Sequence, residues 1–155
     1  MAHTFALIPA SYVYLLSEGE VLLQQRRNTG YMDGCWVAGA AGHVEPGETA
    51  RRAAVREAAE ELGVILSPEH LTLATVMQRT DGTDEPREQR IEWFWTATVW
   101  AGDPTIQEPH KASDLRWWSL DALPEQTSDY ERAVLDALRD GELPLDFSFG
   151  FGECG

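Results

Sequence analysis

The stretch Gly42-His43-Val44-Glu45-Pro46-Gly47-Glu48-Thr49-Ala50-Arg51-Arg52-Ala53-Ala54-Val55-Arg56-Glu57-Ala58-Ala59-Glu60-Glu61-Leu62-Gly63-Val64 holds the clearest helix signal of the chain. Pro46-Gly47 turns the backbone, Thr49 is placed to cap, and Gly63 stops a helix over 49–62. Positions three and four apart share a helical face, so Glu57, Glu60 and Glu61 project toward one region. Like charges at that spacing, close to the negative end of the helix dipole, cost roughly 1–3 kcal/mol in the absence of a partner.

A solvated acidic face is the ordinary reading of a Glu-rich helix, and three neighbouring features weigh against it. Hard divalent cations such as Mg²⁺ take oxygen ligands, one or two carboxylates each, and fill their remaining positions with water and substrate phosphate. Gly39-Ala40-Ala41-Gly42 lets backbone approach a ligand closely, and Glu45-Pro46-Gly47-Glu48 predicts a tight turn beside it. Ala53, Ala54, Ala58 and Ala59 let the helix lie close to a sheet. Arg56 reads as an ion-pair partner that orients the carboxylates.

Working outward, residues 4–16 and 20–26 read as strands joined at Ser17-Glu18-Gly19. Asn28–Gly34 is a turn-rich loop, and further strands are predicted at 71–79, 90–100 and 114–119. The segment from Thr80 to Glu88 reads as a mobile loop, and a second helix spans about 129–140. Strands, helix, strands and helix without βαβ alternation predict an α+β fold with a mixed sheet. The tail Phe147-Ser148-Phe149-Gly150-Phe151-Gly152 fits an added strand, a partner contact or a frayed end equally well.

A length of 155 residues predicts one domain over 1–155, and 43% hydrophobic content with six Trp excludes a disordered chain. No apolar run reaches the roughly 18–20 residues of a membrane helix, and no basic segment precedes the apolar start. Cys35 and Cys154 have no metal-type spacing, so a reducing cytoplasm is expected. With 26 acidic against 12 basic residues, a formal charge of −14 opposes binding to a nucleic-acid backbone. A small anionic substrate remains compatible if divalent cations carry it.

Gly42, Glu48, Arg56-Glu57, Ala58, Glu60-Glu61, Gly63 and Val64 occupy every fixed position of a 23-residue pattern that resembles the Nudix box of the Nudix, or MutT-like, hydrolases. The approach Trp36-Val37-Ala38-Gly39-Ala40-Ala41-Gly42 departs from the Leu-Pro-Gly-Gly type common in that family, lacking the Pro. The resemblance implies an α/β/α sandwich with a mixed β-sheet. It also implies Mg²⁺- or Mn²⁺-dependent hydrolysis of a nucleoside diphosphate linked to another group. Carried over by position, Glu57, Glu60 and Glu61 become metal ligands, the Gly42 carbonyl an additional one, and Glu48 and Arg56 supports of loop and helix.

The catalytic base is expected at Glu57 or Glu60, with Glu88 the external candidate; Glu85 and Glu92 share its loop region. Arg26, Arg27 and His43 are candidates for phosphate contact, and Tyr31, Trp93 and Trp117 for stacking on a base, although packing is the commoner use of such aromatics. Glu108, Lys111 and Asp114 are candidates for reading base edges. The expected substrate is a (d)NTP or oxidised (d)NTP cleaved to a nucleoside monophosphate. ADP-ribose, nucleotide sugars and dinucleoside polyphosphates stay open as substrates. A non-catalytic nucleotide or ADP-ribose sensor is the alternative, RNA decapping fits the charge less well, and the family's frequent dimers leave a homodimer open.

Overall fold

The computed structural model describes residues 4–152. Strands β1 (Ile8–Ser17) and β2 (Glu20–Arg26) meet at a two-residue turn in which Glu18 and Gly19 both have positive φ, 49° and 80°. That backbone matches the right-handed twist of the strands it joins. β1 runs through the middle of the molecule, and its run from Ala10 to Leu15 is buried on both faces.

β3 (Trp36–Ala38) pairs with β2, and β4 (Ala40–His43) pairs with β1. Neither short strand is expected from the sequence. They consist of few residues, and the Ala and Gly of β4 have little intrinsic β preference, so pairing with β1 decides their conformation. β5 (Thr72–Arg79), β6 (Arg90–Ala97) and β7 (Ala112–Ser119) follow the predicted strands closely. β6 stops three residues short of the predicted end. Between β5 and β6, the Thr80–Glu88 loop closes in a 3₁₀ turn over Pro86–Glu88.

The sheet is mixed. β6 lies parallel to β1 and antiparallel to β5, whereas β2 is antiparallel to β1, β3 and β7. The tail becomes β8 (Asp146–Phe149), an added strand parallel to β5. Of the three tail readings, the added strand therefore holds for these residues. Cys154 lies outside the described residues.

Helix α1 (Ala50–Leu62) is capped by Thr49, whose side chain accepts from Arg52 N at 3.1 Å, and ended by Gly63 at φ 69°. Its Ala54, Ala58 and Leu62 are buried with Val13, Leu15, Leu22 and Trp95. Helix α2 (Asp129–Asp140) coincides with its predicted span and packs Tyr130, Val134 and Leu135 against Tyr12, Tyr14, Met77 and Phe94. The two helices thus serve separate apolar clusters about a mixed sheet, as the α+β reading expects. Small alanines bring α1 close to β4, which places its acidic residues beside Ala41 and Gly42.

Candidate active site

Arg56 organises the acidic end of α1. Its Nε donates to Glu48 Oε2 at 2.8 Å and its Nη2 to Glu48 Oε1 at 2.9 Å, a two-pronged contact that suits a planar guanidinium. Its Nη1 donates to Glu57 Oε1 at 2.7 Å and to Glu60 Oε2 at 3.2 Å, and its Nη2 also reaches His43 O at 3.0 Å. The turn before the helix is pinned as well, because Glu45 N donates to Glu48 Oε1 at 3.1 Å. The Arg56 fork holds the Glu48 carboxyl down at about 2.

Glu61 is held by the backbone instead. Glu61 Oε2 accepts from Ala41 N at 2.6 Å, while burial, only partly offset by that bond, pushes its carboxyl up to about 8. Nearby Glu57 and Glu108 add to the upward shift. Burial also raises Glu57, against the pull of Arg56. Gly42 lies against Glu57 so closely that a methyl group in place of its hydrogen would sit 2.1 Å from Oε1.

Glu57, Glu60 and Glu61 form one wall of a cavity of about 820 Å³. Gly42 and His43 border them, and Arg26, Tyr31, Glu108 and Lys111 complete the nearby surface. Lys111 Nζ pairs with Glu108 Oε2 at 2.9 Å. The cavity is of the size that drug-sized ligands and cofactors occupy.

A family model for the NUDIX domain matches residues 7–138 of the chain. The chain belongs to the NUDIX domain family. It is 31% identical over 122 residues to an ADP-ribose pyrophosphatase of Methanocaldococcus jannaschii, covering 79% of this chain and 68% of that protein. It is 33% identical over 79 residues to an 8-oxo-dGTP diphosphatase of Escherichia coli, covering 51% of this chain and 54% of that one. Among solved structures, a MutT NUDIX hydrolase from Burkholderia pseudomallei superposes with a TM-score of 0.75 at 28% identity, covering 84% of this chain and 97% of the other. The chain is accordingly a Nudix hydrolase of the MutT-like kind.

Other expected site residues of this NUDIX domain are more scattered. Arg26 lines the cavity while its Nε donates to Tyr31 O at 2.8 Å. His43 also lines it, and partial burial together with nearby Arg90 lowers its pKa, which favours the neutral imidazole. Arg27 turns away and donates from Nε to Pro109 O at 2.9 Å. Glu88 is not in the cavity lining; its carboxylate faces Arg79 at 3.7 Å and Arg87 at 3.6 Å.

Trp93 and Trp117 do not line the cavity either. Both pack in the cluster beneath α1, with Trp117 stacked on Trp100 at 6.0 Å between centroids, because alternate positions of β6 and β7 face opposite sides of the sheet. Asp114 pairs with Arg116 at 2.8 Å outside the cavity. Tyr12, Arg87, Arg90, His110, Tyr130 and Glu131 line the cavity without having been singled out by the sequence. The one available signal was strand alternation, which puts Arg90 and Glu92 on the face of buried Phe94.

The donor set of this NUDIX domain fits a divalent cation. Glu57, Glu60 and Glu61 line the cavity with hard carboxylate oxygens of the kind such an ion takes. Among the described residues no three acidic, His or Cys groups close around one point. The carboxylates are instead arrayed along a wall, which suits an ion that keeps water and substrate oxygens in its shell.

Proposed function

We propose that this Nudix hydrolase cleaves a nucleoside triphosphate, canonical or oxidised, to the nucleoside monophosphate with Mg²⁺ or Mn²⁺. The observation that carries the reading is the Arg56 clamp, which fixes Glu57 and Glu60 beside Glu61 and Gly42 along a nucleotide-sized cavity. In this reading Glu57, Glu60, Glu61 and the Gly42 carbonyl hold the metal, and Glu48 and Arg56 hold the ligands in place. When bound, the metal would neutralise the diphosphate and lower the pKa of an attacking water. Glu57 or Glu60 is the residue placed to accept the proton from that water, both being oriented by their shared contact with Arg56 Nη1.

Arg26 and His43 contact the phosphates, and Tyr31 borders the bound substrate. The expected partner is a small nucleotide, since the formal charge of −14 disfavours a nucleic-acid backbone. ADP-ribose is the second reading, supported by the similarity to the Methanocaldococcus jannaschii ADP-ribose pyrophosphatase.

A hydrolysis panel of canonical and oxidised (d)NTPs, ADP-ribose, nucleotide sugars and dinucleoside polyphosphates, with products separated by chromatography, distinguishes these substrates. Glu60→Gln and Glu61→Gln are each expected to cut turnover by about tenfold or more while leaving the circular dichroism spectrum unchanged. Undiminished turnover in both variants at saturating Mg²⁺ defeats the ligand assignment. Tight nucleotide binding with no turnover of any panel member would favour the sensor alternative.

A further inference from the structure

A second wall of the cavity carries the opposite charge. It is built from the end of β2 and the loop after it, the 3₁₀ turn over Pro86–Glu88 and the start of β6, and presents Arg26, Tyr31, Arg87 and Arg90. The Arg26 and Arg87 guanidinium carbons lie 5.8 and 5.2 Å from the centroid of the Tyr31 ring. Arg90 is largely buried, yet its Nε has no hydrogen-bond partner. Its Nη1 donates to Arg87 O at 3.3 Å, and its Nη2 stands 3.6 Å from Glu92 Oε2.

The carboxylates here are already engaged. Glu92 is fully buried and accepts from Arg79 Nε at 2.6 Å and from the Tyr12 hydroxyl. Glu88 is shared between Arg79 and Arg87 at 3.7 and 3.6 Å. Arg79, Arg87 and Arg90 thus share two carboxylates, and Arg26 adds a fourth guanidinium beside Tyr31. In a chain of formal charge −14, this local excess of positive charge runs against the average of the molecule. An unpaired buried guanidinium N–H is costly, and a charged acceptor relieves that cost more fully than a neutral one.

We propose that Arg87 and Arg90, arrayed with Arg26 about Tyr31, form a phosphate-recognising subsite for a substrate phosphate beyond the diphosphate held at Glu57, Glu60 and Glu61. The placement of that diphosphate rests on the proposed function above. The phosphate is either the terminal group of a nucleoside triphosphate or a phosphate ester on the sugar. Arg90 supplies a largely buried guanidinium on the cavity lining, and Arg87, 58% exposed, supplies a second one at the entrance. The subsite makes the enzyme selective for substrates richer by one phosphate.

The first test is titration calorimetry of the full chain with inorganic phosphate in EDTA. Without divalent metal the acidic wall repels the anion, so binding reports on the arginines. Saturable binding is expected, weakened about tenfold in Arg90→Gln and in Arg87→Gln, and unchanged in Arg139→Gln on the surface of α2. Arg87→Gln guards against misfolding of the more buried variant. Absence of saturable binding, or binding indifferent to both substitutions, overturns the subsite.

The second test compares kcat/KM with Mg²⁺ for the pairs dGTP and dGDP, and ADP-ribose 2′-phosphate and ADP-ribose. Preference for the phosphate-richer member in one pair, lost in the two arginine variants mainly through KM, supports the subsite and identifies which phosphate it reads. Ratios unchanged by the variants overturn it even where hydrolysis is robust. Loss of hydrolysis in the wild-type chain would instead count against the proposed reaction, and the EDTA titration would still judge the arginines.

Discussion

Gly42 and Glu57 are packed so that any side chain on the first displaces the carboxylate of the second. A Cβ at Gly42 would stand 2.1 Å from Glu57 Oε1 and 2.2 Å from its Cδ, inside the contact distance of real atoms. The small residue before the helix therefore sets the position of a carboxylate fifteen residues further along the chain.

Gly42→Ala is expected to lower turnover by about tenfold or more while leaving the melting temperature within a few degrees of wild type. Glu57 sits at the cavity edge, so its side chain yields before the backbone does. Steady-state kinetics beside a thermal melt check this. Unaltered kcat/KM would show that the position of Glu57 is immaterial to turnover.

Arg56→Lys keeps the charge but loses the fork that spans Glu48, Glu57 and Glu60. The half-saturating Mg²⁺ concentration should rise by about fivefold to tenfold, since a ligand shell loses affinity when its orienting partners go. Metal titration of the activity measures it. A larger loss in Arg56→Gln than in Arg56→Lys is also expected, because Gln leaves Glu48 and Glu57 without a counter-charge.

Glu131 links helix α2 to the sheet from a fully buried position, accepting from Tyr14 Oη at 2.8 Å, Ser128 Oγ at 2.9 Å and Ala38 N at 2.7 Å. Burial pushes its carboxyl up to about 7, above the 4.5 of an unhindered Glu. The folded chain then holds a proton that the unfolded chain releases between those values. The associated stability is complete below pH 4.5 and is lost as pH rises through 7. Urea unfolding at pH 5 and pH 8 should show wild type losing on the order of 1–3 kcal/mol more than Glu131→Gln over that interval. Parallel pH profiles for the two proteins would contradict this.

Gly150→Ala should loosen β8. Gly150 has φ 88°, and a Cβ there would meet Thr80 O at 1.7 Å, a backbone atom with no freedom to yield. A cost of about 1–3 kcal/mol is expected, which lowers the melting temperature by several degrees in a domain of this size. Hydrogen exchange localised to β8 and the β5 edge would trace the loss to strand docking.

Mg²⁺ added with nucleotide should raise the melting temperature, because ligation relieves the repulsion among Glu57, Glu60 and Glu61 and binds the folded state alone. The gain should shrink in Glu61→Gln. A melting curve indifferent to both additions would argue against a metal at this wall.

Local chemistry made much of the molecule legible from its residues. Thr49 and Gly63 bracket α1, the spacing of Glu57, Glu60 and Glu61 puts them on one wall, and Gly141 ends α2, because caps and helical periodicity act within a few residues. The conformation of β4 was not legible, since Ala40-Ala41-Gly42-His43 is a strand only through its pairing with β1. The orientation of Trp93 and Trp117 away from the cavity depended on which sheet face each helix covered. The meeting of Arg90 with Arg87 and Tyr31, and of Glu108 with Glu57 and Glu61, joins segments distant along the chain. By itself the sequence determined the acidic helix, its caps and the chemistry its carboxylates offer, all consequences of short-range spacing. Only the tertiary structure decided what faces those carboxylates, because strand pairing and helix packing, not local preference, bring remote side chains to one cavity.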